Sequence, residues 1–319
     1  MVTTGGLFEL VQDDLARVEL ALSETAQPEH PLLGPMLSTI LPGSGKRLRP
    51  AVALLVGNLG QYQPEPMLHM ATGVELLHTA SLVHDDVVDE SELRRGARTL
   101  FTRVGNALAV LVGDYLFAQS AARCVATGNV RVIGLFAQTL SSMCQGQIEE
   151  ASRGNNPHLS VTKDEYIQTI WGKTASLFVL ACEGSAILAG LREPQVEAMR
   201  RYGDRLGLAF QIVDDVLDFV GDETHLGKDV GSDLRQGTIT LPVIYLRDSL
   251  SDGQIRAAFE EYDVERLVEF VRESTAIDRA YAEASRLLEE ARAALREAPA
   301  GEARDALESL TGYVLERRA

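Results

Sequence analysis

Two short acidic segments carry the chemistry this sequence has to offer. Asp85-Asp86-Val87-Val88-Asp89 and Asp214-Asp215-Val216-Leu217-Asp218 both read Asp-Asp-x-x-Asp, and each closes a long apolar run. On a helix, positions i and i+4 share a face, with Cβ atoms about 5–6 Å apart. Asp85 and Asp89 therefore point the same way, and so do Asp214 and Asp218. Carboxylates stacked like this repel one another unless cations lie among them, and hard oxygen ligands select Mg²⁺, Mn²⁺ or Ca²⁺. Mg²⁺ commonly takes one or two protein carboxylates and fills its shell with water and phosphate oxygens. The two motifs predict a Mg²⁺–phosphate site between two helices. A single acidic turn is ordinary solvated surface in a chain with 46 Asp and Glu. Repetition, with each copy fused to an apolar helix, separates these two from that background.

The net charge of −16 argues against nucleic acid and anionic membrane surfaces as partners. A phosphate site in such a chain must gather its positive charge locally. Lys46, Arg47 and Arg49 lie together in a turn-rich segment; Arg94 and Arg95 follow the first acidic motif, Lys173 heads an apolar run, and Lys228 follows the second motif. Loop cations are usually solvated, but here two groups border the carboxylates directly. Alternating carboxylate and cation around one cavity suits a metal-bridged diphosphate beside a bare one, with Arg offering forked donors and Lys a point charge. Two phosphorylated substrates follow.

The elements that must hold these groups are helical. Apolar residues recur at helical spacing over 5–26, 32–41, 51–60, 67–88, 106–125 and 130–153. Thr162-x-x-Glu165 is a capping box opening a helix that runs to about Gly190, and a further helix starts near Pro194 and ends in the second motif. Residues 221–240 form a Gly- and Asp-rich loop, Ser251-x-x-Gln254 caps another helix, and 264–297 with 304–317 make a charged helical C-terminus. Sustained alternation and Asn-Gly hairpin signals are absent, so the chain is expected to form one all-α domain over 1–319. Cys124, Cys144 and Cys182 are widely spaced in apolar contexts and read as buried thiols of a reducing cytoplasm. Residues 1–20 lack a basic stretch followed by an apolar core, so no secretory signal is expected there. The nearest approach to a membrane span is 174–191, interrupted by Glu183 and read as the centre of a helical core, so no transmembrane segment is expected.

Taken in order, the motifs resemble the trans-polyprenyl diphosphate synthases. They are Gly45-Lys46-Arg47-Leu48-Arg49-Pro50, His78, Asp85-Asp86-x-x-Asp89 with Arg94-Arg95-Gly96, Gly172-Lys173-Thr174, Phe210-Gln211-x-x-Asp214-Asp215-x-x-Asp218, Gly227-Lys228 and Gly231-Ser232-Asp233-Leu234. The resemblance implies a large helical bundle around a central cavity, a homodimer, and head-to-tail condensation of isopentenyl diphosphate with an allylic diphosphate. It implies two or three Mg²⁺ ions, with Mn²⁺ as a substitute, on Asp85, Asp89 and Asp214, and Asp218 as a water-mediated ligand. Arg94, Lys173, Thr174, Gln211 and Lys228 resemble the allylic diphosphate contacts, and Lys46, Arg49, His78 and Arg95 those for isopentenyl diphosphate. Asp85, Asp89, Lys173, Asp214 and Lys228 then carry the catalysis. Loss of the final proton to the departing diphosphate needs no activated His–Asp pair.

Ala80 and Ser81 lie one turn before Asp85. Small residues there resemble those of long-chain members, implying a product of 30 carbons or more, whereas a bulky aromatic would plug the cavity and leave C15–C20. A terpene cyclase would share the metal site without needing the second, metal-free one. A non-catalytic subunit of a heteromeric synthase would be expected to lack one acidic motif. A di-iron bundle could use Glu75-x-x-His78, but its second half, Asp222-x-x-His225, falls in a glycine-flanked loop.

Overall fold

Apolar periodicity becomes helix at nearly every place the sequence predicts it. The computed structural model describes residues 6, 8–41, 47–94, 96–154, 161–220, 230–248, 253, 257–258, 261 and 263–317. A 3₁₀ turn at Glu9–Val11 leads into α1 (Gln12–Thr25), followed by α2 (Leu33–Leu37), α3 (Leu48–Gly57) and the long α4 (Pro64–Val88). Next come α5 (Leu100–Val104), α6 (Asn106–Ala126) and α7 (Val130–Gly154). The capping box at Thr162 is formed as predicted and opens α8 (Lys163–Ile170). That helix continues through a π turn (Trp171–Ala175), α9 (Ser176–Val179), a second π turn (Leu180–Gly184) and α10 (Ser185–Leu188). After α11 (Glu193–Val220) come α12 (Ser232–Arg235), α13 (Leu241–Arg247), α14 (Val264–Glu273), α15 (Ala276–Leu295) and α16 (Glu302–Glu316).

The fold is all-α, as expected. A main apolar cluster runs from Val11 to Val314 and draws on α1, α3, α4, α6, α11, α15 and α16. Every residue of α3 except Arg49 is buried, so this helix has no surface to show but the one that side chain provides. α4 packs along α6 and α11 along α15, which sets the two acidic helices inside the bundle. A smaller cluster around Phe219, Leu234 and Val268 fixes the end of α11 against α12 and α14.

The structure corrects or refines three expectations. A two-stranded hairpin, Leu93–Arg94 with Ala97–Arg98, turns through Gly96 at φ +76°; strands of two residues are too short to leave a period in the sequence. The stretch 264–297 is two helices, broken where Ser274 is extended and its hydroxyl accepts the Ala276 N–H. Among the described residues, the helix long and apolar enough to cross a membrane is α6, with 33% of its apolar window buried, whereas 174–191 is core. The predicted Ser251/Gln254 cap lies outside the described residues.

Candidate active site

Both acidic motifs occupy the C-terminal ends of long helices. Asp89 caps α4, its N–H bonded to the Asp85 carbonyl, and Asp218 lies two residues before the end of α11. A helix C-terminus carries the negative end of the macrodipole and favours cations by about 0.3–1 kcal/mol each. Placing aspartates there is locally unfavourable twice over, and a bound cation relieves both conflicts.

The two ends face one cavity of ≈ 520 Å³, lined by Asp85, Asp89, Asp214 and Asp218 with Arg49, His78, Arg94, Lys173, Thr174 and Gln211. Ser81 also lines it, whereas Ala80 lies wholly in the core. Lys46, Arg95 and Lys228 lie outside the described residues.

Lys173 sits in the middle of the first π turn, not at a helix start. Single π turns interrupt helices mostly at functional sites. Here Gly146 of α7 and Gly172 meet so closely that a Cβ on Gly172 would stand 2.7 Å from the Ser142 carbonyl oxygen. That approach lets Lys173 Nζ ion-pair with Glu150, a cavity carboxylate on α7. On the opposite side, Trp171 Nε1 donates to Asp204 at 2.6 Å and ties the turn to α11.

Burial pushes the Asp85 carboxyl up to about 6, with Lys173 pulling it down and Asp89 pushing it up. Asp89 is raised for the same first reason. Lys173 is raised against its own burial by Glu150 and Asp85. One ammonium thus serves several carboxylates, and the site is short of positive charge.

The second motif is held differently along its length. Asp214 pairs with Arg317 at 2.8 Å, and that guanidinium lies 4.5 Å above the Phe210 ring. Asp218 accepts from Ser232 Oγ at 2.8 Å and from the Asp233 N–H at 3.2 Å. Asp215 is buried beneath them. In the first motif Asp86 is the inward residue, and Arg94 Nε donates to it at 2.8 Å.

Across the cavity, Arg49 Nη1 lies 3.1 Å from His78 Nε2 and its guanidinium sits 4.8 Å over Phe178. Arg47, its neighbour in sequence, turns away and is buried against Glu75 at 2.6 Å. Removing one partner of such a buried pair costs about 3–5 kcal/mol. Glu75 is therefore committed to the fold, which disposes of the di-iron arrangement; Asp222 and His225 lie outside the described residues.

Among the described residues no three His, Cys, Asp or Glu side chains converge as a ready-made metal cage. The donor set still fits Mg²⁺, which asks for one or two carboxylates and takes the rest from water and phosphate. Sequence reasoning missed Glu150, Tyr166 and Arg317. Tyr166 was within reach, since residues 166, 170, 173 and 174 recur at helical spacing on one face. Arg317 had no such signal, because it lies more than 100 residues from Asp214 in the chain.

The fold and the cavity are those of a prenyltransferase. The family model described as polyprenyl synthetase matches residues 30–273. The chain is 40% identical over 318 residues to the heptaprenyl diphosphate synthase component 2 of Geobacillus stearothermophilus, covering 98% of both. Its fold matches the polyprenyl synthase of Caulobacter crescentus, solved with calcium and isoprenyl diphosphate, with TM-score 0.92 and 33% identity over 99% of this chain and 98% of that one. It matches the decaprenyl diphosphate synthase of Rhodobacter capsulatus with TM-score 0.91 and 36% identity, over 99% and 100%. This chain belongs to the polyprenyl synthetase family and acts in prenyl chain elongation.

Proposed function

We propose that the protein is a Mg²⁺-dependent synthase that condenses isopentenyl diphosphate head-to-tail with an allylic diphosphate, giving an all-trans chain of 30 carbons or more. The observation that carries this reading is the meeting of two aspartate-bearing helix C-termini at one cavity with Lys173 between its carboxylates. Asp85, Asp89 and Asp214 would hold two or three ions, with Asp218 reaching them through water; when bound, the metal neutralises the diphosphate and makes it a better leaving group.

The chain's own groups do the rest. Lys173, Arg94, Thr174 and Gln211, with Lys228, bind and orient the allylic diphosphate. A unit charge pair at about 4 Å contributes on the order of 4 kcal/mol at an effective dielectric near 20, so a few such contacts stabilise the departing group substantially. Arg49, His78, Lys46 and Arg95 hold isopentenyl diphosphate with its C4 alkene towards the allylic carbon. The allylic C–O bond breaks, the alkene forms the new C–C bond, and the proton passes to the diphosphate released.

Long-chain specificity is supported by Ser81, a small side chain in the cavity wall one turn before Asp85, and by the heptaprenyl and decaprenyl names of the relatives. A homodimer is supported by apolar side chains left exposed on α6 and α7, Leu111 at 61% and Ile148 at 66% among them. Free thiols support a reducing, cytoplasmic setting; Cys124 and Cys182 are buried as expected, whereas Cys144 is exposed. The whole of 1–319 is read as one catalytic domain.

A second reading is favoured by the name of the Geobacillus relative, a component of a synthase: the chain elongates only beside a different partner subunit. An assay of the purified chain with radiolabelled isopentenyl diphosphate, Mg²⁺ and C10, C15 or C20 primers separates the two. A ladder reaching 30 carbons or more supports the proposal. No product without a second polypeptide supports the component reading, and turnover without isopentenyl diphosphate would identify a cyclase.

A further inference from the structure

Adjacent aspartates on a helix project about 100° apart, so the two cannot serve one ligand equally. The second motif makes the division plain. The Asp214 side chain is 33% exposed at the cavity, whereas Asp215 is 3% exposed and both its carboxylate oxygens are occupied. Tyr166 Oη donates to Asp215 Oδ2 at 2.5 Å, and Gln211 Nε2 donates to Oδ1 at 2.7 Å. The Gln211 carbonyl oxygen in turn accepts from Thr174 Oγ1 at 2.7 Å. An unbroken hydrogen-bonded chain therefore runs Tyr166–Asp215–Gln211–Thr174. It links α8 to the last turns of α11 and returns to the π turn beside Lys173.

Tyr166 is well placed to anchor that chain. It is 4% exposed and part of the main apolar cluster, and it lies four residues after the Thr162 cap that fixes the start of α8. A π turn is a rare local widening of a helix, so its geometry depends on what grips it from outside. Thr174 supplies one such grip, beside the Trp171–Asp204 bond and the Lys173–Glu150 ion pair. Arg49 and His78, across the cavity, take no part in these bonds.

We propose that Tyr166 is a positioning residue for prenyl transfer. Its hydroxyl locks Asp215, and through Asp215 and Gln211 it sets the rotation of the α11 terminus and the π turn. Asp214 and Lys173 then face the same allylic diphosphate. This rests on the reading of the cavity given under Proposed function. Its consequence is selective: losing the hydroxyl loosens the allylic half of the site and leaves the isopentenyl half as it was.

The test is Tyr166→Phe, which deletes one oxygen and keeps the ring. Breaking a buried hydrogen bond and leaving its partner unsatisfied is worth about a tenfold effect or more. The expected result is an allylic KM raised about tenfold, with the isopentenyl KM within about twofold of wild type. Calorimetry with Mg²⁺ and the non-reacting analogue farnesyl thiolodiphosphate should show the same weakening without turnover. In a double-variant cycle with Asp215→Asn the losses should overlap and not add, since both act on one chain of bonds. An unchanged allylic KM, equal increases for both substrates, or additive losses would overturn the proposal. If Tyr166→Phe melts far below wild type, the isosteric Asp215→Asn variant alone decides by the same selective KM pattern. Wild-type protein that fails to bind the thiolodiphosphate with Mg²⁺ sinks the reading of the cavity itself, a result distinct from a Tyr166 variant that behaves as wild type.

Discussion

At the scale of single residues, Asp85 is unfavourable for the fold at the place where the proposed chemistry needs a carboxylate. Its carboxyl is raised to about 6, chiefly by burial. The folded chain holds that proton more tightly than the unfolded chain does. The associated stability is fully present below about pH 4 and lost as pH rises through about 6. In metal-free protein at pH 7.5 the charged group is therefore a liability, and Asp85→Asn should raise the melting temperature by about 2–4 °C. The same variant should lower turnover by about 10²–10³-fold, because the metal loses a ligand. At sub-saturating Mg²⁺, wild-type activity should fall as pH drops through about 6, where a proton competes with the metal for Asp85. Near-normal turnover of the variant would contradict the metal role. Ser81 offers a second test: Ser81→Phe should shorten the product, read by chain-length chromatography, and an unchanged ladder would argue against a wall there. Ala80→Phe is the poorer probe, since Ala80 is fully buried and a ring would strain the core.

At the scale of elements, the site depends on how closely α7 meets the π turn. A Cβ at Gly172 would stand 2.7 Å from the Ser142 carbonyl oxygen and 3.2 Å from Gly146 Cα, both backbone atoms with nowhere to go. Gly172→Ala should cost about 1–3 kcal/mol in urea denaturation and reduce activity by moving Lys173. Gly134→Ala, on the same α7 with open space around it, should instead stabilise by about 0.5–1 kcal/mol. A harmless Gly172→Ala would show that the close approach is incidental. The helices themselves were legible, because apolar spacing and the Thr162–Glu165 capping box are local signals. The π turns were not, because a one-residue widening leaves composition and spacing almost unchanged. Nor was the break at Ser274, which depends on a serine choosing a backbone N–H over solvent.

At the scale of the whole molecule, the motifs predicted their own convergence, but nothing local predicted what holds them from behind. Arg317 reaches Asp214 from the far end of the chain, and Glu150 reaches Lys173 from a helix with no motif. Such contacts are products of packing and have no signature in a linear reading. The exposed apolar side chains of α6 and α7 have their own consequence. Leu111→Glu should place a charge on the face proposed to pair and shift the protein from dimer to monomer in sedimentation. A dimer that persists unchanged would move the interface elsewhere. The central claim remains that two aspartate motifs grip one diphosphate through magnesium. Calorimetry of farnesyl thiolodiphosphate binding to wild type, Asp85→Asn and Asp214→Asn, with Mg²⁺ and with chelator, tests it most directly. Tight binding is predicted only for wild type with Mg²⁺, with each variant weakened by about 10²-fold or more. Binding that survives chelation, or that ignores the loss of either motif, would contradict the account.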